Sequence, residues 1–226
     1  MAYTLLGALL LSITAVAVLR FIDPWTSAVI VNARIAAWSD DDPQPWRLRQ
    51  EWRDYDRISG QLALAVVASE DQLFPTHNGF DFQQIQKAMD EAERGRRARG
   101  ASTITQQVAK NLFLWNGRSY VRKGLEAWFT LLIEWLWPKQ RTLEIYLNIA
   151  EFGRGIYGAE AAAQSFFHKP ASGLSRAEAA RLAAVLPSPR RYRAENPGRY
   201  VQQRERQIEA QMAALGGTAY LAPLNR

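Results

Sequence analysis

Cysteine is absent from the 226 residues. No disulfide can brace this fold and no thiolate can hold a metal. Histidine occurs only at His77 and His168, so a zinc site of the usual His or Cys type is not expected. Strand and hairpin patterns are missing too. No stretch alternates apolar and polar residues for long enough, and the expected fold class is all-α. Acidic residues are outnumbered, 22 against 28 basic ones, for a net charge of +6. A basic surface suits nucleic acid, anionic lipid or a phosphorylated substrate. No RNA- or DNA-binding motif accompanies the charge, so no nucleic-acid partner is expected. The chain is 48% hydrophobic, enough to bury a core in one domain with a short appendage.

The appendage is N-terminal. Ala2 to Leu19 carries no charge and is just long enough to span a bilayer as a helix. Ala15-Val16-Ala17 resembles a signal-cleavage site. However, a basic leader is missing and apolar character resumes at Phe21-Ile22, which favours an uncleaved anchor over residues 1–22. The nearest flanking cation, Arg20, lies C-terminal, so charge alone does not choose an outward orientation for the rest of the chain. Residues 23–57 read as a connector, with Pro24, Pro43, Pro45, an acidic run at 40–42 and a short amphipathic helix over 29–38. The remaining domain is expected over 58–226.

Ile58 to Ser69 is again uncharged and rich in Ala and Leu, which predicts a buried helix. Glu70 and Asp71 then stand together at its C-terminal end, where the helix dipole disfavours acids. They are either a solvated helix end or a functional pair. Asp81 and Gln84 start another helix, with Phe82, Ile85, Met89 and Ala92 at helical spacing. It runs into a basic loop, 93–100, that is either plainly solvated or a flap for a polyanionic substrate.

In 100–113, Thr103 and Gln106 form a capping box. Ile104, Val108 and Leu112 share one helix face. Gln106, Gln107, Lys110 and Asn111 share the other, an amide-rich face suited to hydrogen-bonding sugars or phosphate. Leu112 to Trp115 forms an exposed-looking apolar cluster. Arg118, Arg122 and Glu126 follow at four-residue intervals with Lys123 beside them. As a surface ion pair Arg122–Glu126 would contribute only about 0.3–0.5 kcal/mol. Trp128, Trp135 and Trp137 suggest a membrane–water interface. Glu144 and Asn148 share a face of the next helix, which ends in the glycines 153, 155 and 158. Ser175 and Glu178 cap a further helix, and Asn196-Pro197 starts the last one.

Five stretches resemble, in order, the signatures of the peptidoglycan glycosyltransferases, which polymerise lipid II into glycan strands. They are E-D-x-x-F-x-x-H-x-G-x-D from Glu70, G-A-S-T-I-T-Q-Q-x-x-K-N from Gly100 and R-K-x-x-E from Arg122. The fourth is L-x-x-Y-L-N-x-x-x-F-G-x-G-x-Y-G-x-x-x-A-A from Leu143, and the fifth is E-A-A-x-L-A-A-x-L-P-x-P from Glu178. The resemblance covers about 58–197 and is nearest to the monofunctional kind. Without S-x-x-K, S-D-N or K-T-G, no transpeptidase accompanies it.

The resemblance implies a lysozyme-like helical domain with a smaller, membrane-touching lobe that includes Leu112 to Trp115. It gives Glu70 the deprotonation of the acceptor 4-hydroxyl and Glu126 a role at the pyrophosphate, either through a divalent cation (Mg or Mn) or by orienting cations. No organic cofactor is implied. Substrate contacts are expected from Asp71, His77, Ser102, Thr103, Gln106, Gln107, Lys110, Asn111, Arg118, Arg122, Lys123 and Asn148. The expected product is a β-1,4 strand formed with inversion and release of undecaprenyl diphosphate. Lipid II, the growing lipid-linked chain and membrane lipid are the expected partners, with other cell-wall synthesis and division proteins. The location implied is the bacterial inner membrane, single-pass, with the catalytic domain on the periplasmic face.

The residues themselves favour Glu70 as base, since a sugar hydroxyl is a weak nucleophile and Asp71 and the helix end would raise the proton affinity of Glu70. Two other readings remain open from sequence: a lytic glycosidase, which also works with carboxylates, and a non-catalytic glycan-binding scaffold.

Overall fold

The structure, a computed structural model, describes residues 2–38, 46–95, 102–117 and 119–225. Helix α1 spans Ala2–Leu19, α2 Ala28–Ala37 and α3 Gly60–Glu70. Helix α3 is the centre of the domain. Ser59 caps it by accepting from the Gln61 N–H, and every residue from Leu62 to Ala68 is buried. An uncharged helix must be enclosed on all sides in this way. Each Leu or Val so enclosed is worth about 1.5–3 kcal/mol of transfer free energy.

The enclosure comes largely from the C-terminal half. Helices α9 (Arg176–Val185) and α10 (Arg199–Ala214) pack on α3, as does a closing 3-10 segment, Gly217–Asn225. Helix α9 buries Ala179, Ala180, Ala183 and Ala184, small side chains that let helix axes approach closely. On the other side α5 (Ile104–Phe113) packs on α6 (Tyr120–Leu136) and α7 (Lys139–Ile149). Phe113 and Phe129 stack there with ring centroids 4.4 Å apart.

The expected all-α class needs one correction. The fold is mostly helical, but β1 (Arg49–Gln50), β2 (Glu151–Gly153) and β3 (Ile156–Tyr157) form a small sheet in the order β1-β3-β2. β1 runs parallel to β3 and β2 antiparallel. Strands of two or three residues are too short to show any periodicity. Gly155, at φ +75°, makes the β2–β3 turn, a conformation that favours glycine. Gly158, at φ +84°, then leads into α8 (Ala159–Phe167). The sheet fastens the connector to the end of α7.

Helix α1 is docked rather than dangling. Trp128 Nε1 donates to Ser12 Oγ at 3.1 Å, and Trp137 Nε1 donates to the Val16 carbonyl at 2.7 Å. Arg141 donates to the Leu19 carbonyl from Nε and Nη2, both at 3.1 Å, and to the Ile22 carbonyl at 2.9 Å. The bonds to the Val16 and Leu19 carbonyls satisfy acceptors that the end of α1 leaves unpaired. Leu5, Leu6, Leu10 and Leu11 remain exposed. At 1.5 Å per residue α1 is about 27 Å long, against a hydrocarbon core of about 30 Å. Among the described residues no helix is long and apolar enough to cross a membrane.

Several apolar expectations shift. Trp128 and Trp137 spend their indole N–H groups on α1, and only Trp135 of that trio is exposed. Leu112 and Leu114 are buried, leaving Trp115 as the exposed member of its cluster. Helix α4 (Phe82–Glu93) begins as expected, with Asp81 accepting from the Gln84 N–H at 2.9 Å. None of its residues is buried, and Phe82 and Met89 face outward.

Candidate active site

Glu70 is the last residue of α3 and Asp71 its C-cap, and the two neighbours do different work. Asp71 is buried, and its carboxylate accepts from His77 Nε2 at 2.8 and 2.9 Å and from the Ile104 N–H at 2.9 Å. The Gly79 N–H donates to His77 Nδ1 at 3.1 Å. With Nδ1 accepting, the ring proton sits on Nε2 and points at Asp71. Asp71 therefore ties the end of α3 to the first turn of α5, where a carboxylate meets the favourable end of the dipole. Asp71 and His77, expected against substrate, are occupied within the fold.

Thr103 and Gln106 are likewise internal. Thr103 Oγ1 donates to the Gly79 carbonyl at 2.7 Å and accepts from the Gln106 N–H, while Gln106 Oε1 accepts from the Thr103 N–H at 3.0 Å. Both residues are buried. Gly79, at φ +81°, is pressed against α6: a Cβ there would lie 2.7 Å from Glu134 Cγ and 2.9 Å from Thr130 Cγ2. Gly79→Ala is expected to cost about 1–3 kcal/mol through strain and overpacking. Its melting temperature checks this, and a wild-type value would contradict the close packing.

Glu70 is half-buried and accepts from Gln107 Nε2 at 2.8 Å, while the Tyr146 hydroxyl donates to Gln107 Oε1 at 3.4 Å. Burial raises the pKa of Tyr146 well above its ordinary value, helped by the nearby Glu70 charge, so it stays a donor. Burial also raises the Glu70 pKa above the usual carboxylate range. The Gln107 hydrogen bond, Arg204 and Lys110 oppose this, and Asp71 adds to it. The proton affinity of Glu70 is thus raised chiefly by desolvation, with Asp71 as a lesser contributor.

Glu126 is buried in the middle of α6, so its ion pair is not the surface pair that the spacing alone allows. Arg122 Nη1 donates to Oε2 at 2.8 Å, and Lys123 Nζ holds Oε1. Arg122 Nε is buried with no hydrogen-bond partner among the described residues. Lys110 reaches solvent from the exposed face of α5. Partial desolvation lowers its pKa, as do Arg122 and Lys123, while Glu126 and Glu70 raise it. Lys110 therefore feels both carboxylates, one on α3 and one on α6.

Other expected residues are dispersed. Ser102 is exposed just before α5 and Asn111 is part-buried near its end. Asn148 is fully buried. It accepts from the Arg53 N–H at 2.9 Å and donates to the carbonyls of Arg53 at 2.8 Å and Glu144 at 2.9 Å. It pins the connector to α7. Arg118 and residues 96–100 of the basic loop lie outside the described residues.

The transglycosylase family model matches residues 43–213, three-quarters of the chain and every residue of this site. The chain belongs to the transglycosylase family. It is 60% identical to a biosynthetic peptidoglycan transglycosylase of Xanthomonas euvesicatoria over 212 residues, covering 93% of this chain and 84% of that one. It is 53% identical to one of Xylella fastidiosa over 219 residues (96% and 89%). To one of Chromohalobacter salexigens it is 51% identical over 222 residues (98% and 94%).

In this transglycosylase the geometry sorts the signature residues into two groups. Asp71, His77, Thr103, Gln106 and Asn148 hold the frame. Glu70, Gln107, Lys110, Arg122, Lys123 and Glu126 form a connected electrostatic set. A carboxylate of raised proton affinity can accept a hydroxyl proton, and clustered cations can receive developing negative charge. Tyr146 and Arg204 belong with Glu70, and sequence reasoning gave neither a role. A separate open pocket of about 470 Å³ lies between β1 and α8, lined by Arg49, Glu51, Gln164 and His168 among others. None of its lining residues belongs to this electrostatic set.

Proposed function

We propose that this transglycosylase polymerises lipid II for cell-wall synthesis, with Glu70 as general base. The observation that carries the reading is the linked pair of carboxylates. Glu70 is half-buried and held by Gln107, while Glu126 is buried among Arg122 and Lys123, with Lys110 sensing both.

Glu70 takes the proton from the acceptor sugar 4-hydroxyl as that oxygen attacks the anomeric carbon of the donor. The bond from that carbon to the diphosphate breaks, and the lipid diphosphate leaves with the negative charge. A single displacement inverts the anomeric centre, giving a β-1,4 bond from an α-linked donor. Lys110, Arg122 and Lys123 take up the charge, with Arg118, four residues before Arg122, as a further cation for the same task. The unpartnered Nε–H of Arg122 is a further donor that a bound phosphate would satisfy. Ser102 and Asn111 are left as sugar or phosphate contacts.

Glu126 acts here by orienting cations. A Mg or Mn ion does not fit the donor set: both oxygens of Glu126 are held by Arg122 and Lys123. Among the described residues no group of three His, Cys, Asp or Glu side chains is placed to hold a metal ion.

The membrane reading rests on exposed apolar side chains. Leu5, Leu6, Leu10 and Leu11 of α1 and Trp115, Tyr120, Val121 and Trp135 around α6 are exposed, a surface suited to lipid. On this reading residues 1–22 anchor the chain, 23–57 connect, and 58–226 act at the periplasmic face of the inner membrane beside other cell-wall and division proteins.

Lys110 supplies a test. A cation that met only solvent could be removed at a cost within about ±0.5 kcal/mol and with no loss of activity. With lipid II, Lys110→Ala is expected to lose most turnover while the melting temperature holds. Lys110→Arg should recover part, because a planar fork does not replace a compact ammonium. Full turnover in Lys110→Ala would remove the diphosphate role.

A further inference from the structure

A helix leaves its last four carbonyls without partners inside the helix. At the end of α3 these carbonyls flank Glu70; a backbone N–H satisfies one of them and side chains satisfy two. The Val67 carbonyl takes the Asp71 N–H at 3.0 Å. The Ala68 carbonyl takes Gln72 Nε2 at 3.0 Å, and the Ser69 carbonyl takes Arg204 Nη2 at 3.1 Å. In the turn after α3, the Gln72 carbonyl takes the Tyr220 hydroxyl at 2.7 Å. Arg204 comes from α10 and Tyr220 from the closing 3-10 segment, which is anchored by buried Leu221 and Leu224. The backbone is therefore held one residue before and two residues after Glu70. Tyr220 lies beyond the residues 43–213 that match the family model.

We propose that Arg204 and Tyr220 are positioning residues for Glu70, and that the C-terminal segment locks the base at its working geometry. The proposal rests on Glu70 being the base. A carboxylate near 1 Å out of place can cost about 100-fold in rate, so two hydrogen bonds to its flanking carbonyls bear on catalysis as well as on folding. Arg204 also brings positive charge toward Glu70, opposing the effect of burial. The groups that face Glu70 are Gln107 and Lys110 from α5, Tyr146 from α7 and Arg204 from α10. The adjacent Asp71, bonded to His77, joins them, while Tyr220 reaches the Gln72 carbonyl and faces Asp71.

The test is the pH profile of lipid II turnover by the full chain, with kcat and KM measured separately and melting temperatures alongside. Without the Arg204 cation, Glu70 holds its proton to higher pH. In Arg204→Gln the acid limb of kcat should therefore move up while kcat falls about 10- to 100-fold and KM changes little. Arg204→Lys should restore the limb and part of kcat. Tyr220→Phe, which removes no charge, should leave the limb in place and lower kcat about 10-fold. If Arg204→Gln does not fold, wild-type kcat in both Arg204→Lys and Tyr220→Phe overturns the proposal. A folded Arg204→Gln with lower melting temperature but wild-type kcat and limb also overturns it. Glu70→Gln is measured beside them. If it is active, the base assignment fails. If it is inactive while the Arg204 profile is unmoved, the positioning claim alone fails.

Discussion

Glu70→Gln is expected to lose at least about 10²–10⁴-fold in turnover, the scale of a positioned general base, without losing stability. The amide keeps the size of the side chain but cannot take a proton. The stability half of the expectation follows from the raised pKa. A carboxyl whose pKa is higher in the folded chain stabilises fully only below its unfolded pKa, and that contribution is lost as pH rises through the folded value. Near neutrality the ionised Glu70 is a burden on the fold, and a neutral isostere removes it. The melting temperature of Glu70→Gln at neutral pH should therefore equal or exceed that of the wild type. The difference should shrink in acid, where wild-type Glu70 is itself protonated. Turnover near the wild-type level would remove Glu70 as base. A clear drop in melting temperature would show that the ionised carboxylate stabilises the fold.

Glu126 is expected to behave oppositely in stability and alike in activity. Its carboxylate is buried and faces two cations, Arg122 almost buried and Lys123 half exposed. Removing one partner of a buried pair leaves the other uncompensated, at about 3–5 kcal/mol. Lys123 can turn to water and should contribute little, so Glu126→Ala is placed at about 3 kcal/mol. At roughly 2–4 °C per kcal/mol for a chain of this size, that is on the order of 10 °C in melting temperature. Turnover should also collapse, because Arg122 and Lys123 lose the group that aims them. Glu126→Gln separates the two effects, keeping the shape while losing the charge. Wild-type turnover in Glu126→Gln would confine the residue to folding.

Much of the helical frame was readable from the sequence because the signals are local. The uncharged run before Glu70, the Thr103–Gln106 and Ser175–Glu178 boxes and the Ile104–Val108–Leu112 face all became helices with those caps. The small sheet was not readable, since its pairing joins residue 49 to residue 156 through strands of two or three residues. Within the site, residue type was legible and orientation was not. Asp71, His77, Gln106 and Asn148 have the chemistry of ligand contacts, but their partners are backbone groups and each other, which only the fold brings near. Arg204 and Tyr220 carried no signal because their partners are carbonyls, which every residue has. Met89 and Phe82 have the helical spacing expected of them and are exposed, since periodicity reports an apolar stripe and not what covers it.

The most direct test of the central claim is incubation of the purified full chain with lipid II, beside a parallel incubation with finished glycan, and separation of the products by size. The account predicts lipid-linked strands longer than the substrate, with release of the lipid diphosphate, and no shortening of finished glycan. Lipid II left intact while finished glycan is cut into fragments would contradict it and establish the lytic reading instead.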